Sequence, residues 1–342
     1  MKRYKCTVAY SGMNYQGWQS QRNGNTVQEK IEGVLENITG THINITASGR
    51  TDAGVNARGQ VFMFDTDLEM SERKWKGALN GHLPEDIHII SVEEADPHLF
   101  HARYNVRLKH YDYLINDGEY DVFLRGQACF CPVPLDFEVM KEAAKLLEGT
   151  HDFTAFNSTP LSEKPDQVRT VEKIVLKKEN DLIRMSFYGK GFLRYQVRMM
   201  SAAIMEAGKG KITTKDIVSL LESKSREKAK KNAPAEGLTL VEVEYFEMAA
   251  LNEHGMVREF ILGDEIPGNM TIPELQRRLR EKDSPILCMT GRHDQSLKGI
   301  LYCGKEESYL KDVKDTVLAE ELLPEMNAWL LKNGYAILNF EG

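Results

Sequence analysis

The order of strand and helix patterns in the N-terminal third constrains the fold of this 342-residue chain most strongly. Residues 43–47 alternate between apolar and polar, residues 60–65 predict the return strand, and no helical pattern lies between the two. A doubly wound parallel sheet needs a crossover, usually a helix, between paired parallel strands, so this order predicts a split α+β module. The predicted elements in chain order are strand Tyr4–Tyr10, a helix from Val27, strands Ile43–Ala47 and Gln60–Asp65, a helix over Ser71–Leu79 and strand Ile87–Val92.

The first helix has well-defined ends in the sequence. Thr26 and Glu29 form a capping box, in which the threonine and the glutamate satisfy free backbone amides of the first turn. Gly40 suits the residue that ends the helix, because glycine readily takes the left-handed conformation found there. The apolar residues between them recur at helical spacing and are Val27, Ile31, Val34, Leu35 and Ile38.

The second half of the chain continues in the α+β style without repeating the sequence of the first. Val106–Ile115 predicts a strand with Tyr111 and Tyr113 on one face, because alternate residues of a strand share a face. The other predicted elements are helix Asp136–Leu147, a hairpin of Val168–Lys178 and Leu182–Tyr188 around Asn180-Asp181, helices Phe192–Ala207 and Thr213–Leu221, and strand Leu238–Phe246.

The length of the chain suits more than one domain. The predicted parts are an N-terminal lobe of residues 1–105, a second lobe of residues 106–247 and an extension of residues 248–342. The predicted elements of the extension are a helix from Thr271, strands Ile286–Thr290 and Gly299–Cys303, an amphipathic stretch over Val317–Lys332 that Pro324 interrupts, and strand Tyr335–Phe340.

Charge is unevenly distributed along the chain, whose net charge is −7. Residues 164–231 contain 17 Lys and Arg against 8 Asp and Glu, which gives +9. Residues 248–342 contain 11 Lys and Arg against 16 Asp and Glu, which gives a net charge of −5. A basic stretch within an acidic chain is compatible with a local groove for a polyanion. Solvated helix faces are the alternative explanation, and they account for most charge runs.

Composition also argues against several classes of protein. The five cysteines are odd in number and dispersed, so a disulfide framework is not expected. Cys129 and Cys131 do not have the spacing of a zinc site, and no paired Cys or His ligands follow them, so we expect no structural metal. The N-terminus lacks a signal-peptide pattern, and no stretch is long and apolar enough to span a membrane. These observations predict a cytoplasmic protein.

The loop Ser48–Val55 places an arginine and an aspartate between two glycines, directly after a predicted strand. Glycine allows positive φ and close approach of a ligand to the backbone. Asp52 can therefore be a rigidly presented catalytic carboxylate, and Arg50 beside it can keep it ionised or contact a phosphate. Asp52 can equally be an ordinary turn former, since aspartate side chains bond to nearby backbone amides.

Two other places carry residues of chemical interest. Tyr111, which follows Lys109 and His110, can stack on an extruded base, although most strand tyrosines belong to the core. Arg194 and Arg198 lie four residues apart on one face of a predicted, largely apolar helix. A buried arginine needs a carboxylate partner, for which Asp52 is the candidate; otherwise Arg198 extends to solvent at the border of the helix.

These features occur together, in this order, in one protein family. Residues 3–247 closely resemble the TruA-type tRNA pseudouridine synthases. The blocks that carry the resemblance are Gly49-Arg50-Thr51-Asp52-Ala53-Gly54-Val55, Phe100-His101-Ala102-Arg103 with Tyr111-Asp112-Tyr113, Gly149–Phe156, Gly191-Phe192-Leu193 with Val197-Arg198, and Ala233-Pro234-Ala235 with Gly237-Leu238.

The resemblance implies a fold and an activity. The fold would be α+β, with two α/β lobes of mostly antiparallel sheets around a central cleft and the extension as a small α+β addition. The activity would be that of an isomerase (an intramolecular transferase) that converts uridine to pseudouridine in the anticodon stem-loop of tRNA, at positions 38–40. The family works as a homodimer without a cofactor, so tRNA and a second copy are the implied partners.

The resemblance also assigns roles to four residues. Asp52 would be the catalytic aspartate, acting either by attack on the sugar or by deprotonating it. Arg198 would be its salt-bridge partner, Tyr111 would pack on the flipped uracil and help to remove its C5 proton, and Arg50 would help to extrude the nucleotide.

The sequence departs from the family at a few positions. Asn56 stands where histidine is common, and Arg58 stands where leucine is common. Arg194-Tyr195-Gln196 replaces an aromatic-His-Met run, and Met199 replaces a common asparagine. A non-catalytic RNA-binding protein on the same fold is therefore an alternative to the enzyme. The acidic extension lies outside the family's usual extent, and we expect it to contact the dimer mate or another protein rather than RNA.

Overall fold

A computed structural model of the chain describes residues 1–22, 24–95, 97, 100–162, 165–225 and 231–245, together with the backbone of five short strands in the extension. In the first half the elements occur in the predicted order. They are β1 (Lys2–Tyr10), α1 (Val27–Thr39), β2 (Thr46–Ala47), β3 (Asn56–Thr66), α2 (Glu72–His82) and β4 (Ile87–Ala95).

Most boundaries of the first half agree with the sequence. Thr26 caps α1 by accepting a hydrogen bond from the amide of Glu29, and Gly40 ends the helix with a φ of 74°. Two strand boundaries were wrong. β2 has two residues rather than five, and β3 begins at Asn56, four residues before the predicted Gln60. The predicted bounds followed the apolar residues, which indicate burial. The bounds of β3 are instead set by its ladder of hydrogen bonds to β1.

The second half contains seven further strands and three helices, and all of them except two short strands were predicted in outline from the sequence. They are β5 (Val106–Asn116), β6 (Cys129–Phe130), α3 (Phe137–Lys145), β7 (Gly149–Asp152), β8 (Val168–Val171), β9 (Lys173–Glu179), β10 (Leu182–Gly189), α4 (Gln196–Gly208), α5 (Thr214–Ser223) and β11 (Leu238–Tyr245). The predicted strand 168–178 is interrupted at Glu172, whose amide donates to the carbonyl of Tyr188.

The predicted start of the α4 helix at Phe192 was wrong by four residues. Tyr195, directly before the helix, has a φ of 64°, in the left-handed region. A bulky residue in that conformation cannot continue a right-handed helix backwards, so the helix begins at Gln196. Arg194 therefore lies on the loop before the helix, while Arg198 lies within its first turn.

One sheet of nine strands runs through both halves of the chain. Its main path is β4-β1-β3-β11-β5-β10-β9, with β2 on β3 and β6 on β5. The two halves meet where β3 pairs with β11 in parallel over two register pairs, Asn56 with Thr239 and Ala57 with Leu240. The loop 48–55, which precedes β3, is thus held next to strands of the second half. The division into three parts at residues 105 and 247 stays a prediction.

The core beneath the N-terminal strands is aromatic. Tyr4, Phe62, Phe64 and Trp75 are almost completely buried, and neighbouring rings lie 5.1 to 6.5 Å apart. Burying a side chain of this size contributes about 1.5–3 kcal/mol relative to leaving it exposed. In the second half α3 packs against α4. These layers support the sheet from which the chemically interesting residues project.

The extension forms a five-stranded sheet. Its strands are β12 (Glu247–Leu251), β13 (Val257–Phe260), β14 (Ile286–Gly291), β15 (Leu297–Cys303) and β16 (Ser308–Asp312), in the order β13-β12-β14-β15-β16. The predicted strands 286–290 and 299–303 are confirmed as β14 and β15. The predicted helices from residue 271 and over 317–332, and the strand 335–340, lie outside the described residues.

The described part of the chain holds neither a membrane-spanning helix nor a cluster of metal ligands. No helix there is both long and apolar enough to cross a membrane. No group of three or more His, Cys, Asp or Glu side chains there is arranged to hold a metal ion.

Candidate active site

The first part of the loop Ser48–Val55 is held by polar bonds to β3. The amide of Ser48 donates to the carbonyl of Val61 at 2.8 Å, and its hydroxyl donates to Gln60 Oε1 at 2.6 Å. Gln60 Nε2 in turn donates to the carbonyl of Gly49 at 2.9 Å. Gln60 is fully buried, so losing one of these partners would cost about 1–3 kcal/mol. The backbone before Arg50 therefore has one defined course.

The second part of the loop is held by the N-terminal strand and the segment that follows it. The hydroxyls of Tyr10 and Thr51 lie 2.7 Å apart, and the amide of Trp18 donates to the carbonyl of Thr51 at 3.1 Å. The amide of Val55 donates to the carbonyl of Asp52 at 3.1 Å, which closes a turn. Gly54 in this turn has a φ of 79°, a conformation that favours glycine. The backbone of Asp52 is thus fixed on both sides.

Lys109 lies directly beneath the loop. Its side chain is buried, and Nζ donates to the carbonyl of Ser48 at 2.8 Å. A Cβ atom on Gly49 would lie only 2.4 Å from Nζ, so the glycine leaves the space that the ammonium occupies. Burial lowers the pKa of Lys109 to about 8, and the charge of Arg103 acts in the same direction.

Asp52 faces Arg198 across the join between the two halves. Arg198 Nη1 lies 3.5 Å from Asp52 Oδ2, with the two side chains 14% and 22% exposed. Arg198 Nε donates to the carbonyl of Ala233 at 2.8 Å, which fixes the plane of the guanidinium. Among the described residues, Arg198 is the only side chain within ion-pair distance of Asp52. The carboxylate therefore keeps acceptor capacity for a substrate.

Two opposing effects determine the ionisation of Asp52. Burial raises the pKa of Asp52 above that of an ordinary aspartate, because a charged group is disfavoured away from water. The charge and hydrogen bond of Arg198, and more weakly the charge of Arg194, lower it and offset part of this rise. The arginine thus favours the ionised form without cancelling the effect of burial.

Tyr111 completes the group. It is buried on β5, on the same face as Lys109, and packs edge-on against Phe192 with ring centroids 5.5 Å apart and an interplanar angle of 90°. Burial raises the pKa of Tyr111 far above its ordinary value, and the nearby Tyr10 and Asp52 add to the rise. The phenol therefore remains protonated at neutral pH, close enough to Asp52 to respond to its charge.

Tyr195 supports the arginine. Both Arg194 and Arg198 lie over its ring, at 5.2 and 5.3 Å from the ring centroid. Such contacts contribute about 0.5–1 kcal/mol at exposed sites and more when they are desolvated. Tyr195 directly precedes α4 and has a left-handed backbone. Backbone strain of this kind is concentrated at functional sites.

The structure brings together three of the four residues singled out by the sequence. Asp52, Tyr111 and Arg198 form one group, and the carboxylate partner predicted for Arg198 is Asp52. Arg50 is exposed on the loop, two residues from Asp52. Its predicted part in extruding a nucleotide stays a prediction.

Sequence reasoning missed three residues that shape this site: Gln60, Lys109 and Tyr195. The sequence did contain an indication of Lys109. In the predicted strand it shares a face with Tyr111 and Tyr113, and a lysine is unexpected on a face that points into the core. Gln60 likewise interrupts an apolar strand. The conformation of Tyr195 has no comparable signal, since left-handed backbone favours glycine and asparagine.

Comparison with known proteins places the chain in a family. The sequence profile described as "tRNA pseudouridine synthase" matches residues 7–105 and 143–246, which is more than half of the chain. This chain belongs to that family. The matched region contains the loop, Arg198 and Ala233, whereas Tyr111 falls between the two matched segments and the extension beyond residue 246 lies outside them.

Individual relatives agree with this assignment. The chain is 47% identical over 246 residues to tRNA pseudouridine synthase A of Geobacillus sp. (strain WCH70), covering 71% of this chain and 98% of the relative. It is 45% identical over 249 residues to the protein of the same name from Oceanobacillus iheyensis, covering 72% and 98%. The relatives are thus matched along nearly their whole length.

Proposed function

We propose that this protein isomerises uridine to pseudouridine in tRNA, with Asp52 as its catalytic carboxylate. The observation that carries the proposal is the partly buried Asp52, which faces Arg198 at 3.5 Å from a loop fixed on both sides. Membership of the tRNA pseudouridine synthase family supports the reaction type. As an isomerase of this kind, it would break the N1–C1′ bond, rotate the uracil and form a C5–C1′ bond.

The reaction needs the target base outside the stack. The glycosidic bond and C5 of a stacked uridine are not accessible to a side chain, so the nucleotide is extruded first. Arg50, exposed two residues from Asp52, would fill or hold the gap that the base leaves. The basic stretch 164–231, with its net charge of +9, supplies cations for the phosphate backbone.

Asp52 acts on the sugar as a carboxylate. Attack on C1′ and removal of a sugar proton both require the ionised form, and Arg198 favours that form. Tyr111 packs on the detached uracil. Once the C5–C1′ bond has formed, C5 loses a proton and N1, freed from C1′, takes one up, and the protonated hydroxyl of Tyr111 relays this proton by giving up its own as it accepts. The uracil stays in the site throughout, so the pocket must exclude competing water.

We also propose a target site in tRNA, a dimeric working form and a role for the extension. The target lies in the anticodon stem-loop, at positions 38–40, and the working form is a homodimer whose cleft holds the tRNA. Residues 1–105 and 106–247 are the two lobes of that cleft. The acidic extension, residues 248–342, contacts the dimer mate or another protein, because its charge of −5 disfavours phosphate.

Pseudouridine mapping on total RNA tests the proposal directly. A strain that lacks the gene is compared with strains carrying the wild type and Asp52→Ala. We expect pseudouridine at positions 38–40 of tRNA only with the wild type. Pseudouridine that persists in the deletion strain complemented with Asp52→Ala would contradict the catalytic role. RNA binding by the wild type without any isomerisation would favour a non-catalytic RNA-binding protein instead.

Truncation after Phe246 tests the extension separately. The expected result is an unchanged set of modified uridines and an unchanged rate, with loss of a protein–protein contact measured by sedimentation or pull-down. A change of modified sites on truncation would mean that the extension selects RNA.

A further inference from the structure

A short segment beside the catalytic loop has an unusual number of bonds to side chains. We call residues 233–237 the strap. Three of its backbone carbonyls each accept a hydrogen bond from a side chain of a different element. The donors and acceptors are Arg198 Nε to Ala233 O at 2.8 Å, Tyr113 Oη to Pro234 O at 2.9 Å, and Asn56 Nδ2 to Glu236 O at 3.2 Å.

Asn56 uses both ends of its amide. The residue is only 9% exposed, and Oδ1 accepts from the amide of Gly12 at 2.8 Å. Nδ2 donates to the carbonyl of Gly126 at 2.8 Å as well as to Glu236. The orientation of the amide is unambiguous, because only its oxygen can accept from a backbone N–H. A neutral imidazole has one donor and could not make both donated bonds.

The position of Asn56 in the fold gives these bonds their importance. It is the first residue of β3, four residues after Asp52, and it is one of two register positions at which β3 pairs with β11. Its side chain therefore reinforces a short backbone contact between the two halves of the chain. The three groups that it bonds come from segments 44, 70 and 180 residues away in sequence.

The strap completes a closed path around the active site. Asp52 contacts Arg198, Arg198 bonds to the start of the strap at Ala233, and the end of the strap bonds to Asn56. From Asn56 the chain leads back over four residues to Asp52. Gly54 lies against the middle of the strap, where a Cβ atom on the glycine would come within 3.1 Å of Ala235. Loop and strap are thus packed together along this path.

We propose that Asn56 is a positioning residue that sets the separation of Asp52 and Arg198 through the strap. The ion pair is a single contact of 3.5 Å, so its geometry depends on the backbones that carry its two members. A displacement of about 1 Å at a reacting group can cost about 10²-fold in rate. The inference rests on the proposed function, in which Asp52 works as an ionised carboxylate.

Asn56→Asp is the main test, because the change keeps the size of the side chain and removes its two donors. The expected result is a single-turnover rate of pseudouridine formation lowered by about 10- to 100-fold, with an unchanged Kd for tRNA. The acidic limb of the pH–rate profile is expected to move to higher pH, because a more distant Arg198 opposes the effect of burial on the pKa of Asp52 less strongly. A variant with the wild-type rate and an unshifted acidic limb of the pH–rate profile would overturn the inference.

Asn116→Asp is the matched control. Asn116 is 4% exposed and donates to the carbonyl of Glu119 at 2.7 Å, with Oδ1 accepting from Gly118, all within its own turn. This variant is expected to lose thermal stability but to keep the rate and the acidic limb. Equal losses of rate in both variants, with neither limb moved, would mean that Asn56 serves only stability and would overturn the inference.

A readout independent of turnover separates this inference from the proposed function. Asn56→Ala removes the bonds without placing a carboxylate against carbonyls, so it also serves if the aspartate variant fails to fold. The amide of Ala233, which donates to the carbonyl of Arg198 at 3.1 Å, is expected to exchange hydrogen about tenfold faster in this variant. Unchanged exchange would overturn the positioning role, whereas an inactive wild type would refute the proposed function alone.

Discussion

Two aspartate–arginine pairs of this protein, Asp52–Arg198 and Asp112–Arg184, differ in how much of the carboxylate is used. Asp52 meets Arg198 in one contact of 3.5 Å. Asp112, on β5, accepts from Arg184 at 2.5 Å and from the hydroxyl of Ser186 at 2.6 Å. A ring nitrogen of the neighbouring His110 adds a third contact to Asp112 at 2.9 Å.

The pKa values of the two carboxyl groups are therefore shifted in opposite directions from that of an ordinary aspartate. Burial raises the pKa of both. At Asp112 the bonds from Ser186 and Arg184 outweigh it, and the pKa lies below the ordinary value. At Asp52 the arginine does not outweigh it, and the pKa lies above. A well-bonded carboxylate stabilises a fold, whereas one with unused acceptor capacity is available to a substrate.

The largest effect is expected from Asp52→Asn. The rate of pseudouridine formation on a tRNA transcript should fall by at least about 10³-fold, since the amide is neither nucleophile nor base. The melting temperature and the Kd for tRNA should stay close to wild type. Asp112→Asn is the matched control and should keep the rate. Turnover by Asp52→Asn at a wild-type rate would show that the two pairs do not differ in this way.

Tyr111→Phe should have the next largest effect. The ring and its edge-on contact with Phe192 are kept, so folding and tRNA binding should be unchanged. Loss of the hydroxyl should lower the single-turnover rate by about 10²-fold if it moves the C5 proton. Tyr113→Phe offers a comparison on the same strand face, with its hydroxyl bonded to the strap. A rate equal to wild type for Tyr111→Phe would limit Tyr111 to packing.

Arg198→Lys should lower the rate by about 10-fold. The charge near Asp52 is kept, but lysine lacks the planar fork that bonds to Ala233 and Asp52 together. Arg184→Lys is the control in the other pair, where the arginine is half-exposed, and its rate should be within twofold of wild type. Similar losses in both variants would mean that the geometry of the guanidinium matters equally in the two pairs.

The pH dependence of the rate should report the raised pKa of Asp52. Activity requires the carboxylate, so it is present above this pKa and is lost as the pH falls through it. The acidic limb should therefore lie above the value of about 3.9 for an ordinary aspartate. Arg198→Met should move the limb higher still, while Arg184→Met should leave it in place. A limb that stays fixed in Arg198→Met would show that Asp52 does not control it.

The smallest effect on activity, but a measurable one on stability, is expected from Asp112→Asn. The free energy of unfolding should fall by about 1–2 kcal/mol at neutral pH, a figure that allows for the half-exposed Arg184. Because folding lowers the pKa of Asp112, this contribution is present above its unfolded pKa and lost as the pH falls through its folded pKa. The free energies of unfolding of the variant and the wild type, measured by urea unfolding, should become equal at acidic pH. A difference between them that does not change with pH would contradict this dependence on the pKa of Asp112.

Features that depend on neighbouring residues were predictable from the sequence. The cap at Thr26 and the turn at Gly40 follow from interactions over a few residues. The loop 48–55 was recognised for the same reason, since its glycines, arginine and aspartate are contiguous. The start of α4 was missed because the left-handed conformation of Tyr195 runs against its local preference.

The sequence by itself determined the order of elements and singled out the loop 48–55 with Asp52, and Tyr111 and Arg198, as candidates for a site. Only the tertiary structure decided that Asp52 keeps free acceptor capacity while Asp112 does not. It alone placed Lys109 beneath the loop and Asn56 at the strap. The physical reason is that a pKa and a hydrogen-bond partner depend on burial and on groups far away in the chain, which a local pattern does not contain.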